Sequence, residues 1–201
     1  MTNQVTTLTL KTEERVIAGA RQCFFQHGYK ASNMTLISEH AGFSRATVHK
    51  YLKNKDDAFR KVVHQFQLQA NNDCKPILAK QLACWKTIEL IMQTWLKPTF
   101  DEVSNQVILN DLKYHVQHVA QDIFSQARKD IEKMLSDVLT KAQQQDEISL
   151  ERITVEPKKL ATLILASLDG LRGHLEKHDL QQASKDILRV FQLACGQSGV
   201  I

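Results

Sequence analysis

Glycine and proline are scarce in this sequence of 201 residues, which contains 7 Gly and 3 Pro. No glycine occurs between Gly42 and Gly170, and only Pro76, Pro98 and Pro157 interrupt that stretch. A sandwich, a barrel or a doubly wound sheet needs many turns, and turns need these two residue types. The scarcity disfavours all-β and α/β folds and predicts an all-α protein with long helices.

Sequence features of export and membrane insertion are also missing. The first ten residues have no charged region followed by an apolar run, and the longest apolar stretch, Leu160 to Leu168, is far too short to span a bilayer. The four cysteines are widely separated and form no C-x-x-C pair, as expected for reduced, packed thiols. These absences predict a soluble, cytoplasmic protein with no membrane partner.

No catalytic motif is present: the sequence contains no G-x-S-x-G, P-loop, Rossmann glycine pattern or H-E-x-x-H. Two histidine pairs, His115/His118 and His174/His178, have spacings that occur in zinc sites. No cysteine or carboxylate completes a convincing ligand set beside either pair, so solvated or interface histidines are the preferred interpretation. We expect no enzyme activity, no cofactor and no metal.

Positive charge is concentrated in the first third of the chain. Residues 1–60 carry 9 Lys and Arg against 5 Asp and Glu, whereas the remaining residues carry 17 of each sign. A local basic excess of this kind is typical of a module that binds a polyanion.

The segment from Met34 to Lys55 predicts two short helices joined by a sharp turn. Asn33 and Ser44 are suitable N-caps for the two helices, and Gly42 supplies the positive φ that the turn needs. No acidic residue occurs between Glu39 and Asp56, so nothing there would repel phosphate. The layout is that of a helix-turn-helix, and the second helix presents hydrogen-bonding side chains suited to the major groove: Arg45, Thr47, His49, Lys50 and Tyr51.

With this motif, the chain resembles the tetracycline-repressor (TetR) family of bacterial regulators. The resemblance rests on Gly28-Tyr29, the Ala41-Gly42-Phe43-Ser44 turn and Lys53-Asn54-Lys55 before the fourth helix. It is strong over residues 11–66 and only architectural over 67–201. It implies a flexible arm (1–10), an N-terminal three-helix DNA-binding domain (11–66) and a C-terminal helical domain for ligand binding and dimerisation (67–201).

The resemblance also implies roles for individual residues. Thr35 and Arg45 occupy positions that reach base edges, although Arg45 as a further phosphate contact stays open. Phosphate contacts are implied for Asn33, Ser44, Thr47, Tyr51 and Lys55. His49 and Leu52 depart from the family pattern, which has Tyr and Phe at these positions.

Beyond the motif, the sequence predicts a long helix from about residue 54 to 72, and then helices of about 76–96, 98–116, 119–145, 157–175 and 180–195, with Pro76, Pro98 and Pro157 in first turns. The resemblance implies a ligand cavity among the middle helices, where the alternative is an ordinary core. Candidate ligand contacts are Phe66, Trp85, Met92, Trp95, Gln106, Asn110, Tyr114 and Phe124.

The last two helices have more apolar residues than one buried face requires, which predicts a partner surface. The resemblance implies that this partner is a second copy of the chain. The alternative is that the apolar residues are all buried in the core of a single chain. The candidate interface residues are Leu160, Ile164, Leu168, Leu171, Ile187 and Phe191.

The predicted function is a ligand-responsive transcriptional repressor that binds a palindromic double-stranded operator as a homodimer and is released by a small-molecule effector. Two alternatives remain: a DNA-binding repressor without a ligand, and a helical enzyme or carrier with a vestigial helix-turn-helix.

Overall fold

The computed structural model describes the backbone of residues 2–96, 100, 102–174 and 177–196, and the side chains of residues 11–96, 100, 102–171 and 179–196. Over these residues all regular secondary structure is helical, and no strand is present. The nine helices are α1 (Thr2–Ala31), α2 (Met34–Ala41), α3 (Arg45–Tyr51), α4 (Lys55–Ala79), α5 (Cys84–Leu96), α6 (Gln106–Val119), α7 (Gln121–Gln144), α8 (Pro157–His174) and α9 (Lys177–Ala194). No described helix is long and apolar enough to cross a membrane.

The first of two compact units contains Met1–Gln69 and Pro98–Ser125. Its core forms where α1, α2, α3 and the start of α4 pack with α6. Phe24 and Phe59 are fully buried at the centre and meet edge to face at 5.1 Å, and the Tyr29 ring completes the aromatic group. The unit therefore has a hydrophobic core of its own.

Two glycines shape this unit. Gly28 has φ 76° and ψ 174°, a conformation unsuited to other residues, and it interrupts α1 before a last turn that ends at Ala31. Gly19 lies directly under α2: a Cβ atom there would be 2.3 Å from the Ala41 Cα. Only glycine allows α1 and α2 to approach this closely.

The second unit contains Ala70–Lys97 and Gln126–Ile201. Its core is aliphatic, with Ile88, Ile131, Leu135 and Leu165 fully buried among residues of α5, α7, α8 and α9. The four cysteines of the chain are all buried and form no disulfide, and three of them lie in this unit, so the predicted packing of the thiols is confirmed.

Several predicted boundaries differ from the structure. The first helix begins at Thr2, so the predicted flexible arm (1–10) is helical from Thr2. Pro76 does not open a helix, because α4 continues through it to Ala79. A proline in the last turn removes only one backbone hydrogen bond, and the helix ends soon after it. Pro98 lies outside the described residues, and the helix predicted after it begins at Gln106 with Asn105 as its N-cap.

Residues 98–125 belong to the first unit, whereas the family resemblance implied that they are part of the C-terminal domain. Long-range packing is the reason: Phe100, Leu112 and Ala120 are buried in the first core. Arg60 donates to both carboxylate oxygens of Asp122, at 2.6 and 2.7 Å. None of these contacts has a local sequence signal.

Candidate nucleic-acid interface

The turn between α2 and α3 is built by the three predicted capping residues. The Asn33 carboxamide oxygen accepts from the backbone N–H groups of Thr35 and Leu36, both at 3.0 Å. Gly42 ends α2 in the left-handed conformation (φ 69°, ψ 29°), and the Ser44 hydroxyl accepts from the Thr47 N–H at 3.2 Å. Because each cap satisfies helix-terminal groups, the helix-turn-helix geometry is determined locally.

Helix α3 is held by one face and exposed on the other. Val48, together with Leu52 just after the helix, is completely buried in the first core. Arg45, His49 and Lys50 are exposed. The resulting surface carries two permanent cations and an imidazole with no acid on the helix, and such a surface suits a polyanion.

The other predicted contact residues surround this face. Thr35 is exposed at the start of α2, and Asn33 and Ser44 are exposed caps. The hydroxyl groups of Ser44 and Thr47 lie 3.0 Å apart and share a hydrogen bond. Tyr51 is half-buried at the end of α3.

Lys55, whose phosphate contact stays a prediction, also makes contacts within the protein. Its ammonium donates to the Tyr29 carbonyl oxygen at 3.1 Å and lies 4.3 Å from the centroid of the Tyr29 ring. This cation is therefore engaged within the protein. The N-terminus of α4 is also capped internally, since Asn54 accepts from the Asp57 N–H at 2.8 Å and Asp57 accepts from the Lys53 N–H at 2.9 Å. This reciprocal pair resembles a capping box, except that Asp57 accepts from the residue before the cap instead of from the cap itself.

Sequence reasoning missed the residues that anchor α3 to its neighbours. The Lys61 ammonium, on α4, donates to the Tyr51 carbonyl oxygen at 2.8 Å and pairs with Glu13 of α1, also at 2.8 Å. Arg15 of α1 lies over the Phe43 ring, 4.7 Å from its centroid. Lys61 thus caps the last residue of α3. No sequence spacing indicates these contacts, because each joins helices that are distant in sequence.

Tyr29 links α1, α4 and α6 behind this surface. Its hydroxyl donates to Asp56, and its ring stacks on His115 with the centroids 4.0 Å apart. Burial, followed by the Asp56 carboxylate, raises the Tyr29 pKa above its ordinary value. His115 also lies beside Asp111, with 3.2 Å between Nδ1 and Oδ1, and Asp111 accepts from the Lys30 N–H at 3.0 Å.

Five candidate ligand residues lie in the first unit. Phe66 stacks on Phe25 at 5.9 Å, and Gln106 donates to Asn110 at 2.8 Å on the exposed side of α6. Tyr114 and Phe124 are exposed by 54% and 38%.

The other three candidates lie in the second unit. Met92 and Trp95 are buried in its core, and Trp85 packs against that core. None of the eight candidates lines either of the two surface depressions that the structure describes. Their role as ligand contacts stays a prediction.

The candidate dimer residues divide into two groups. Leu160, Ile164 and Leu168 are fully buried within the chain itself, so they cannot form a surface, and this is a correction to the predicted interface. They occupy the inner face of α8, whose apolar stripe belongs to the buried cluster that α8 shares with residues of α5, α7 and α9. The other three, which are only partly buried, are Leu171, Ile187 and Phe191.

The apolar side chains that do reach the surface of α8 and α9 are different ones. Leu163 is 39% exposed, Val190 64% and Leu193 72%. Gly170 lies on the exposed side of α8 with open space where a Cβ would stand.

No group of three His, Cys, Asp or Glu side chains that could hold a metal is found among the described residues. His118 donates from Nδ1 to the Tyr114 carbonyl oxygen at 2.7 Å, and its ring stacks on the Tyr114 ring. The side chains of His174 and His178 lie outside the described residues.

Comparison with known proteins matches residues 16–62 to the family model of bacterial regulatory proteins, tetR family. The matched segment covers the second half of α1, all of α2 and α3, and the start of α4. It therefore contains the whole helix-turn-helix. No curated protein matches the chain.

Solved structures match almost the whole chain. A putative TetR-family transcriptional regulator from Mesorhizobium loti is 16% identical with a TM-score of 0.70, covering 94% of this chain and 98% of its own. SmeT, the repressor of the Stenotrophomonas maltophilia multidrug efflux pump SmeDEF, is 18% identical with a TM-score of 0.67, covering 94% and 92%. A SmeT–triclosan complex has the same identity and TM-score, covering 95% and 94%. At these identities the structures establish the fold.

Proposed function

We propose that this chain is a bacterial regulatory protein of the tetR family, which represses transcription by binding a palindromic DNA operator as a homodimer and is released by a small molecule. The observation that carries the proposal is the exposed face of α3. Arg45, His49 and Lys50 project from a helix whose opposite side is buried and whose N-terminus is capped. A capped, anchored helix with an acid-free polar face suits the major groove.

In this proposal, Arg45 reads base edges. An arginine side chain donates two hydrogen bonds to guanine O6 and N7, and an exposed position in the first turn of a recognition helix allows that contact. Thr35 lies in the first turn of α2 and approaches a neighbouring base. Ser44, Thr47 and the Asn33 amide nitrogen hold phosphates, since these groups position a helix without reading sequence.

The dimer is proposed to form through the exposed apolar side chains of α8 and α9. Leu163, Val190 and Leu193 are too exposed to contribute to the core of the second unit, and burying them against a second copy removes apolar area from water. A two-fold dimer presents two α3 helices to half-sites about 34–36 Å apart.

We propose that the dimer has two conformations, of which one fits the operator. An effector that binds the second unit more tightly in the other conformation shifts the population towards it. Operator affinity then falls by at most the ratio of the effector's affinities for the two conformations. The solved complex of the repressor SmeT with triclosan supports a small-molecule effector for this chain. Our second candidate, a repressor without an effector, is favoured by the packing of Met92 and Trp95 into the core.

DNA binding is tested by selecting sequences from a random double-stranded pool and measuring affinity by fluorescence anisotropy at fixed salt. Arg45→Ala is expected to bind the selected site roughly five- to 150-fold more weakly, the cost of about one bidentate base contact. Lys129→Ala is the matched control, since it removes an exposed cation from α7 and should change nothing. Failure to select any sequence contradicts DNA recognition, and unchanged binding by Arg45→Ala contradicts its role.

The interface is tested by sedimentation. Leu193→Asp is expected to convert the dimer to a monomer, because it places a charge in the proposed apolar contact. Leu82→Asp is the control, at an apolar residue that is 38% exposed and lies outside α8 and α9. A monomeric native chain, or a dimer that survives Leu193→Asp, contradicts the proposed surface.

The effector is tested by thermal unfolding against a compound library that includes triclosan. A compound that binds the folded chain raises the midpoint and should release the selected DNA. A complete absence of stabilising compounds supports the effector-free repressor.

A further inference from the structure

Two histidines from different helices meet head to head in the first unit. His27 is near the end of α1 and His40 is in the last turn of α2, and their Nε2 atoms are 3.2 Å apart. The ring centroids are 5.3 Å apart with 67° between the planes, so both nitrogens point towards the space between the rings. Both side chains are partly buried.

This distance fits two kinds of contact. It lies at the long end of the range for a nitrogen-to-nitrogen hydrogen bond, in which one ring donates and the other accepts. It also fits two ligands on one ion. A zinc ion at its usual distance of about 2.0–2.1 Å from both nitrogens would be held at an N–metal–N angle of roughly 100°, close to tetrahedral.

Conversion of the hydrogen-bonded histidine pair into a pair of metal ligands needs little rearrangement. Both rings must carry their proton on Nδ1 so that both Nε2 lone pairs are free, which is a change of tautomer in one ring with no net loss of a proton. No described hydrogen bond of either ring involves Nδ1. The backbone positions are already fixed by the close packing of Gly19 against Ala41.

The surroundings leave room for the remaining ligands of an ion. His40 lines an open depression of about 380 Å³, whose other walls are Arg21, Gln22, Phe25, Gln26 and Glu102. The nearby guanidinium of Arg21 would repel a cation, but it is paired with Glu102 at 2.5 Å. Since no third His, Cys, Asp or Glu joins the pair among the described residues, water must complete the coordination.

We propose that His27 and His40 form a two-histidine site for a divalent transition metal ion such as Zn²⁺, Ni²⁺ or Cu²⁺. The bound ion joins α1 to α2. Imidazole nitrogen is a preferred ligand for these ions and a poor one for Mg²⁺ and Ca²⁺. The bound ion stabilises the first unit, because the two ligands are brought together only in the folded chain.

The test uses the full chain without a polyhistidine tag, stripped of metal with a chelator and titrated calorimetrically with ZnCl₂. The native chain is expected to bind one ion, and His27→Gln and His40→Gln are each expected to weaken binding by about tenfold or more, since each loses one of two protein ligands. His64→Gln is the control, because it removes an exposed histidine of α4 from the same unit. No saturable binding, or equal binding by all four proteins, overturns the proposal.

A second measurement does not depend on variants. The electron paramagnetic resonance spectrum of the native chain with one equivalent of Cu²⁺ should show coupling to two imidazole nitrogens. A spectrum without imidazole coupling overturns the proposal even if the glutamine variants unfold. MgCl₂ at the same concentration is expected to leave the unfolding midpoint unchanged, and a rise equal to that with ZnCl₂ would also contradict the site.

Discussion

The close approach of α1 and α2 predicts that Gly19→Ala destabilises the protein, although alanine is the better helix former. At an unhindered helix position, this change stabilises by about 1 kcal/mol. At Gly19 the new Cβ would lie 2.3 Å from the Ala41 Cα, 2.5 Å from its N and 2.6 Å from its Cβ. Two of these atoms are backbone, so α2 itself must move.

The magnitude follows from these two opposing effects. Overpacking costs about 1–3 kcal/mol, and we take the upper end because no side chain can rotate out of the way. Subtracting the gain in helix propensity leaves a net loss of about 2 kcal/mol in the free energy of unfolding. Ala18→Gly is the matched control: Ala18 is exposed, so only propensity acts and the loss should be about 1 kcal/mol or less.

The assay is urea unfolding followed by circular dichroism at one protein concentration, because an oligomer makes the midpoint concentration-dependent. Hydrogen exchange then locates the loss, which should appear as reduced protection in α1 and α2. A Gly19→Ala chain that is as stable as the native chain, or more stable, would refute the steric reasoning.

Three further predictions concern the first core and the thiols. Lys61→Met should weaken DNA binding and lower the free energy of unfolding by about 1 kcal/mol, because the Tyr51 carbonyl oxygen loses its hydrogen bond. Fluorescence anisotropy and urea unfolding measure the two effects, and a variant that matches the native chain in both would contradict this role of Lys61. The raised pKa of Tyr29 predicts stability that is complete below about pH 10 and declines as pH rises further, and one tyrosine absorbance step at high pH should vanish in Tyr29→Phe. All four buried thiols should resist a water-soluble disulfide reagent until the chain unfolds, and rapid reaction of the native protein would contradict their burial.

The helix-turn-helix could be predicted from sequence because its signals are local. Asn33, Gly42 and Ser44 each act on backbone groups within four residues, and the predicted extents of α2 and α3 agree with the structure. Side-chain type and spacing contain this information directly. The same holds for the choice of an all-α fold from the scarcity of glycine and proline.

Packing between distant segments could not be predicted in this way. Phe100 and Leu112 belong to the first core, yet nothing near them in sequence distinguishes that core from the second. The apolar stripe of α8 shows the same limit. Periodicity correctly identified an apolar face, but Leu160, Ile164 and Leu168 fill the core of their own unit, and the exposed Leu163 lies on the other side.

The residues that hold α3 in place are different from those that α3 exposes to solvent, so variants of the two groups should behave differently. Val48, Leu52 and the caps hold α3 in place, whereas Arg45, His49 and Lys50 are exposed and no described hydrogen bond involves their side chains. Substitutions at these three positions should therefore change DNA affinity with little change in unfolding free energy, as is usual for exposed sites. Lys61 lies between the two classes, since it fixes the position of α3 without reaching its exposed face. Its substitution should alter both quantities, and comparing it with Arg45→Ala distinguishes a loss of contact from a loss of position.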